Sequence, residues 1–261
     1  RMRHAKSGDW WTNDPQRALA NNSVAYTEKP DSLSFMREWM ALVESGSGER
    51  GIFNREASKA QAAKYGRRDP DWQFGTNPCS EIILRPYQFC NLTEVVVRSN
   101  DNFADLARKV RIATTLGTIQ STYTKFPYLR KVWKDNTEEE RLLGVSLTGI
   151  MDNPLLTSKT NGLSKNLENL RQVAVNTNTS LADTLGINPS TAITCVKPSG
   201  TVSQLVDSAS GIHARHSKHY IRTVRGDNKD PLTAFMKDQG IPSEPCVMKP
   251  DQTTVFSFPI K

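Results

Sequence analysis

The sequence predicts an α/β fold with a largely parallel β-sheet, and two observations support this prediction. First, four segments have the spacing of apolar and capping residues that is typical of helices. They lie at 31–44, 102–116, 138–151 and 166–185. Second, short runs rich in β-branched residues separate or follow these helices. They lie at 92–97, 192–196 and 220–224. Strands that alternate with helices of this length indicate a parallel sheet.

The first half of the chain has clear signals for where its helices, loops and extended segments begin and end. We expect the helix from Asp31 to Glu44 to be capped by Asp31 or Ser32 and to end at Gly46. A short ordered piece should begin at Ile52, and 66–78 should be a loop, because it is rich in Gly, Pro, Asn and Asp. Beyond this loop we expect an extended piece at 80–84 and a turn at Arg85-Pro86.

The second half continues the alternation. We expect the helix from Asn102 to Leu116 to be followed by a helix from Glu138 to Met151, opened by Asn136-Thr137 and three glutamates. A further helix, 166–185, should close at Gly186.

The composition indicates a folded globular protein. Of the 261 residues, 37% are hydrophobic and 23% are charged, which excludes fibrous and disordered classes. No apolar run approaches the roughly 18 residues of a membrane span, and the first residues lack the apolar core of a secretory signal. We therefore expect a cytoplasmic protein without a membrane partner.

The net charge of +7 favours an anionic partner such as a nucleotide. The basic residues form no block of five or more, and the five tryptophans are scattered, so nucleic-acid binding has little support. The chain opens at Arg1 and closes on a β-rich run, 253–261. We expect it to be a segment of something longer, and to form one partial domain over 1–261.

Two cysteines and a carboxylate form the most informative cluster. Cys79 and Glu81 are two residues apart, so in an extended backbone both side chains face the same side. Cys90 follows eleven residues after Cys79 and could return to the same site if the chain turns at Pro86. The alternative is that both cysteines are buried structural residues, as free cysteines often are.

The amino-acid sequence of this segment closely resembles the active-site segment of ribonucleotide reductases, above all the adenosylcobalamin-dependent class II enzymes. The resemblance rests first on Asn77–Ile82 together with Phe89–Leu92. Five further motifs follow the same order: Asp14–Ser23, Gly51–Ala57, Arg141–Gly149, Lys197–Thr201 and Gly211–His213. The eleven-residue gap between Cys79 and Cys90 is the main argument for class II.

The resemblance implies part of a ten-stranded α/β barrel with a finger loop at about 74–92. It implies that Cys79 becomes a thiyl radical, that Glu81 accepts the proton of the 3′-hydroxyl, and that Asn77 positions the substrate. It implies that Cys90 is one of two thiols that reduce the 2′ carbon. The enzyme would be an oxidoreductase that converts ribonucleoside di- or triphosphates to deoxynucleotides with adenosylcobalamin as cofactor and a thioredoxin-type or other dithiol reductant.

No residue of the chain matches the partner of Cys90, which the family carries far upstream. We therefore expect that a fragment or split subunit needs an upstream reductase polypeptide for turnover. The alternative is a non-catalytic nucleotide-binding or assembly subunit of a reductase complex.

A second candidate site is Pro198-Ser199-Gly200-Thr201, in a loop at about 197–203. Backbone N–H groups and hydroxyls in such a loop can surround a phosphate. The residues alone are equally typical of a capped turn. The family resemblance favours binding of the substrate phosphates by Ser199, Gly200 and Thr201.

The spacing of the remaining histidines and cysteines gives less indication of a functional role. His213, His216 and His219 recur every third residue, which matches neither a helical pair nor a strand, so we expect no metal and interpret them as surface or contact residues. We interpret Cys195 and Cys246 as structural.

Overall fold

A computed structural model describes residues 2–20, 22–46, 48–157 and 162–261, so Asn21 of the first family-like motif lies outside the described residues. The chain divides into two compact units, Arg1–His213 and Ala214–Lys261. The helices are α1 Trp10–Asn13, α2 Ser32–Ser45, α3 Arg55–Ala63, α4 Phe103–Gln120, α5 Lys131–Glu140, α6 Pro154–Thr157, α7 Leu163–Leu185, α8 Thr201–Leu205 and α9 Pro231–Asp238. The strands are β1 Ser23–Tyr26, β2 Gly51–Asn54, β3 Gly75–Thr76, β4 Ile83–Leu84, β5 Asn91–Val96, β6 Leu143–Thr148, β7 Tyr220–Asp227, β8 Ser243–Pro245 and β9 Thr253–Ile260.

The first unit contains two parallel strand pairs. β1 pairs with β2, and β5 pairs with β6 in a register that runs from Asn91 opposite Leu143 to Val96 opposite Thr148. β3 and β4 form a short antiparallel pair at the base of the loop between them. On its other side β6 meets the segment 192–195, where Thr194 bridges Val145 in parallel. The strand expected at 192–196 is therefore present only as this bridge.

Two long helices cover one face of β5 and β6. The first, α4, begins with a reciprocal capping box between Asn102 and Asp105, and α7 ends at Gly186 in the left-handed conformation. They bury one continuous apolar cluster: Val95, Val97, Leu106, Val110, Ala113, Leu143, Val145, Leu156, Leu170, Ala174 and Ile193. Both helices confirm the sequence-based prediction, as does α2, which Asp31 caps through the backbone N–H of Ser34.

The prediction of a helix from Glu138 to Met151 is wrong. The helix at this point, α5, ends at Glu140, and Arg141 adopts a left-handed φ of 43°. The following residues form β6, which is buried at every position but Leu147. An apolar run with Gly144 and Val145 suits a central parallel strand better than a helix. Its partner strand β5 lies about 50 residues earlier in the chain, so the local sequence does not reveal the pairing.

The extended piece predicted at 80–84 is correct only for β4, Ile83–Leu84. Ser80 has a φ of 63°, so the chain turns sharply just before Glu81. Cys79 and Glu81 therefore do not lie in the regular extended backbone that the sequence suggested.

The second unit is an antiparallel sheet in the order β7-β9-β8, so the parallel prediction fails for this part. Phe256 of β9 is fully buried. Asp230 caps α9 and Pro231 occupies its first turn. The expectation of one domain over 1–261 stays a prediction. Among the described residues, no helix is long and apolar enough to cross a membrane.

Candidate active site

The face of β5 and β6 that points away from the helices forms the floor of the site. Because side chains alternate along a strand, Val95 and Val145 enter the helix-covered core, and Leu92, Glu94, Gly144 and Ser146 face the other way. This second face carries polar groups and a glycine. It is the surface on which the loop between β3 and β5 lies.

This loop, 77–90, lies within the predicted finger loop, about 74–92, and is called the finger loop below. Charged groups hold its base. Arg68 donates to the backbone oxygen of Ile83 at 2.8 Å. The Arg85 side chain lies over the ring of Trp72, 4.4 Å from its centre, and donates to Asn136 Oδ1 at 3.1 Å. Asn136 donates in turn to the backbone oxygens of Pro86 and Tyr87.

The tip of the finger loop is organised by Asn77. Its side-chain oxygen accepts from the backbone N–H of Ile82 at 3.0 Å, and its backbone oxygen accepts from the backbone N–H of Ser80 at 3.0 Å. These bonds close a tight turn that leaves Cys79 exposed. The thiol is therefore open to a reactant that approaches the tip.

Behind the tip, the Glu81 carboxylate is buried and forms an ion pair with Lys197. The Lys197 Nζ lies 2.8 Å from Glu81 Oε1, and the Glu81 side chain is 1% exposed. Burial raises the pKa of Glu81, but the neighbouring Lys197 ammonium and Asn77 side chain together outweigh it and hold the pKa below its ordinary value. The same contact raises the pKa of Lys197. The structure thus holds Glu81 as a carboxylate.

Two thiols lie close to this carboxylate. Burial raises the pKa of Cys90, and the negative charge of Glu81 raises it further. Burial, and after it the negative charge of Glu81, raises the pKa of Cys195 to about 12. Both groups are therefore protonated thiols at neutral pH.

The predicted phosphate loop lines a cleft of about 510 Å³ next to these residues. Gly200 and Thr201 are exposed, whereas Ser199 is buried. The Ser199 hydroxyl donates to Glu94 Oε2 at 3.1 Å and accepts from the backbone N–H of Ser203 at 3.2 Å. The exposed surface of the loop thus comes from Pro198, Gly200 and Thr201 rather than from Ser199.

The segment after α8 supports this loop from below. The Ser210 hydroxyl donates to the backbone oxygen of Ser199. Gly211 has a φ of +55°, and a Cβ there would lie 3.1 Å from the backbone oxygen of Lys197. Gly211 also donates to the Thr148 hydroxyl at 2.9 Å, so the loop is tied to the carboxyl end of β6.

The structure brings Cys79, Glu81 and Cys90 into one region, together with the phosphate loop. The roles assigned to these residues and to Asn77 stay predictions. Sequence reasoning missed Lys197, Glu94 and the position of Cys195, which was interpreted as structural. One available signal was that Lys197 directly precedes the predicted phosphate loop. Among the described residues, no group of three His, Cys, Asp or Glu side chains is arranged to hold a metal ion.

Comparison with known proteins defines the class of this fold. The structure matches a crystal structure of a B12-dependent (class II) ribonucleotide reductase with a TM-score of 0.75 and 25% sequence identity. The match covers 98% of this chain and 40% of the solved chain. The fold is therefore part of an α/β barrel of the ribonucleotide reductase type, as the sequence predicted.

Curated relatives give the same result at the level of sequence. The chain is 30% identical to the adenosylcobalamin-dependent ribonucleoside-triphosphate reductase of Lactobacillus gasseri and 31% identical to that of Lacticaseibacillus paracasei. It is 29% identical to the reductase of the same name from Lactobacillus leichmannii. Each match covers 94% of this chain, and the chain spans about a third of the relatives' length, 35–36%. No family model matches the chain. The chain is thus homologous to one region of these reductases.

Proposed function

We propose that this chain is part of the catalytic barrel of a class II ribonucleotide reductase, which reduces ribonucleoside triphosphates to 2′-deoxynucleotides for DNA synthesis in the cytoplasm. The observation that carries the proposal is the grouping of an exposed thiol, Cys79, with a buried carboxylate, Glu81, and a second thiol, Cys90. Lys197 connects this group to the cleft that the predicted phosphate loop lines. The choice of triphosphate follows the names of the relatives.

The reaction that we propose assigns one task to each side chain. A thiyl radical on Cys79 abstracts the 3′ hydrogen atom of the ribose, and Glu81 accepts the proton of the 3′-hydroxyl. The 2′-hydroxyl leaves as water, and Cys90 with a second thiol supplies the two electrons and becomes a disulfide. The hydrogen atom then returns from Cys79 to the 3′ carbon. Asn77 positions the substrate, and a dithiol reductant restores the thiols.

The chemistry of the exposed Cys79 thiol fits a cofactor that generates radicals. When bound, adenosylcobalamin would supply the radical through homolysis of its cobalt–carbon bond. The tip of the finger loop is where the chain would meet it, because Cys79 is exposed there and Glu81 and Cys90 are not. The chain's own contribution is to orient the substrate and to hold Glu81 as a carboxylate.

Gly200 and Thr201 would bind the substrate phosphates through backbone N–H groups and a hydroxyl. Their exposure on the cleft supports this role. Ser199 would act indirectly, since its hydroxyl is bonded to Glu94. The helix that follows, α8, has only five residues, so the loop rather than a helix dipole must provide the binding.

The test is to co-express this chain with, or fuse it to, a candidate upstream reductase segment and to assay deoxynucleotide formation. The assay contains adenosylcobalamin, a ribonucleoside triphosphate and a dithiol. We expect cobalamin-dependent product that Cys79→Ser abolishes and that Cys246→Ala, in the second unit, retains. Absence of product from an assembled and folded complex would overturn the proposal in favour of a non-catalytic nucleotide-binding subunit.

Cys90→Ser gives a second signature. Hydrogen abstraction can still occur without this thiol, but the 2′ carbon cannot be reduced. We expect release of free base and progressive inactivation in place of steady deoxynucleotide formation. Steady turnover by this variant would remove Cys90 from the proposed role.

A further inference from the structure

Lys197 belongs to two sites at once. Its backbone begins the proposed phosphate loop, and the residue lines the same cleft as Gly200 and Thr201. Its ammonium group nevertheless reaches away from the loop to Glu81, 2.8 Å from the carboxylate. The lysine side chain is 28% exposed, so the ammonium is not locked into a closed interior.

This ion pair conflicts with the task of Glu81. A carboxylate that is paired with an ammonium group has a lowered pKa and is a weak acceptor of a proton from a substrate hydroxyl. Among the described residues, Lys197 is the only cation that forms an ion pair with Glu81. The other titratable groups that influence the pair are the thiols of Cys79, Cys90 and Cys195. Lys197 is the largest of the causes that lower the pKa of Glu81, so its departure would raise the basicity of the carboxylate.

We propose that Lys197 is a positioning residue that exchanges partners when the substrate binds. With an empty loop its ammonium holds Glu81, and with a triphosphate in the loop it turns to the phosphate and releases the carboxylate. The long flexible stem of lysine permits this exchange, and the polyphosphate carries more negative charge than Glu81. Glu81 then accepts the substrate proton only when the nucleotide is in place. This inference rests on the proposed function.

The exchange has a thermodynamic consequence that can be measured without turnover. If phosphate binding breaks the pair, then the pair must oppose phosphate binding, because linkage is reciprocal. Removal of the Glu81 charge should free Lys197 and tighten phosphate binding. This gain in affinity for phosphate should occur only when Lys197 is present. A simple loss of a nearby negative charge would instead give the same gain with or without the lysine.

The experiment is a double-mutant cycle of Glu81→Gln and Lys197→Gln, with inorganic tripolyphosphate as the probe and calorimetry of the full chain as the readout. We expect Glu81→Gln to tighten binding by about tenfold when Lys197 is present. We expect a change below about twofold in the Lys197→Gln background. Lys197→Met, which also lacks the charge, serves as a second background, and circular dichroism verifies that each variant is folded.

Two exposed residues of the second unit provide matched controls. Glu244→Gln and Lys229→Gln remove the same charges at exposed positions, and neither should change the affinity. An equal gain from Glu81→Gln in both backgrounds, or no gain in either, would overturn the exchange and leave the phosphate loop intact. Failure of the unmodified chain to bind tripolyphosphate would overturn the phosphate assignment itself, and the exchange with it.

Discussion

Arg68 and Glu140 form a buried pair that joins two parts of the first unit across 72 residues of sequence. The guanidinium donates from Nε to Glu140 Oε1 at 3.0 Å and from Nη2 to Oε2 at 2.9 Å. Each side chain is 4% exposed. Because Arg68 also donates to the backbone of Ile83, the end of α5 determines where the base of the finger loop lies.

We expect Arg68→Met to lower the free energy of unfolding by about 3–5 kcal/mol, because it removes both hydrogen bonds of the buried bidentate pair. The Glu140 carboxylate then keeps only Gln88 and the more distant Arg85, at 4.0 Å. Urea or guanidinium unfolding of the chain measures the change. Lys131→Met is the control, since Lys131 pairs with Asp135 on the surface and its side chain is 84% exposed. That variant should lose less than about 1 kcal/mol. Equal losses for the two variants would show that the buried pair does not anchor the loop.

The same pair shows why part of the fold could not be predicted. The helices α2, α4 and α7 were predicted because their signals are local: caps such as Asp31 and Asn102, apolar periodicity, and a terminal glycine. The three glutamates at 138–140 were interpreted as a helix start, but they lie at a helix end. The partner that explains Glu140 is Arg68, and no local pattern connects the two residues.

The site, like the fold, was predicted from the sequence only where its residues lie close together in the chain. Cys79, Glu81 and Cys90 were found because they lie in one short segment that resembles a known motif. Lys197 and Cys195 were not, because the parallel pairing of β6 with Thr194 brings them to the site from more than 100 residues away. Such pairings depend on the tertiary fold, which residue spacing alone does not specify.

Gly144 of β6 lies where the side chains of the neighbouring strand and of the finger loop come together. A Cβ on Gly144 would lie 2.4 Å from Leu92 Cδ2, 3.0 Å from Ile82 Cδ1 and 3.1 Å from Cys195 Sγ. We expect Gly144→Ala to cost about 1–3 kcal/mol of stability through overpacking. Thermal and denaturant unfolding would detect this loss.

A matched control and a rescue make the Gly144 experiment specific. Gly75→Ala, at the base of the same loop, should be tolerated, because a Cβ there has no neighbour within 4 Å. Leu92→Ala should partly relieve the cost of Gly144→Ala, since it removes the nearest contact. If the two single variants at Gly144 and Gly75 were equally stable, close packing at Gly144 would not be the constraint.

Glu38 gives the first unit a pH-dependent contribution to stability. Hydrogen bonding from Arg50 is the largest cause that lowers the pKa of Glu38 to about 2, and Arg3 lowers it further against the effect of burial. A carboxyl whose folded pKa lies below its unfolded value of about 4.3 stabilises the protein above that value and loses the contribution as the pH falls toward 2. We expect the stability difference between the unmodified chain and Glu38→Gln to shrink by roughly 2 kcal/mol from pH 5 to pH 2.5. Urea unfolding at several pH values tests this, and a difference that is constant with pH would contradict it.

The alkylation rates of the half-buried thiols Cys90 and Cys195 should depend on the charge of Glu81. Burial is the largest cause of the raised pKa values of Cys90 and Cys195, and the negative charge of Glu81 adds to it, whereas Lys197 opposes it. Glu81→Gln should therefore lower both pKa values, increase the thiolate fraction at pH 8.5 and accelerate alkylation by iodoacetamide several-fold. Lys197→Gln should have the opposite effect.

Mass spectrometry of the Cys90 and Cys195 peptides over time gives the two alkylation rates separately. Glu244→Gln controls for the loss of one exposed carboxylate and should leave both rates unchanged. If Glu81→Gln and Lys197→Gln both accelerated alkylation, greater access to the thiols rather than electrostatics would explain the rates. Opposite changes would establish that the carboxylate and the ammonium act on the two thiols through their charges.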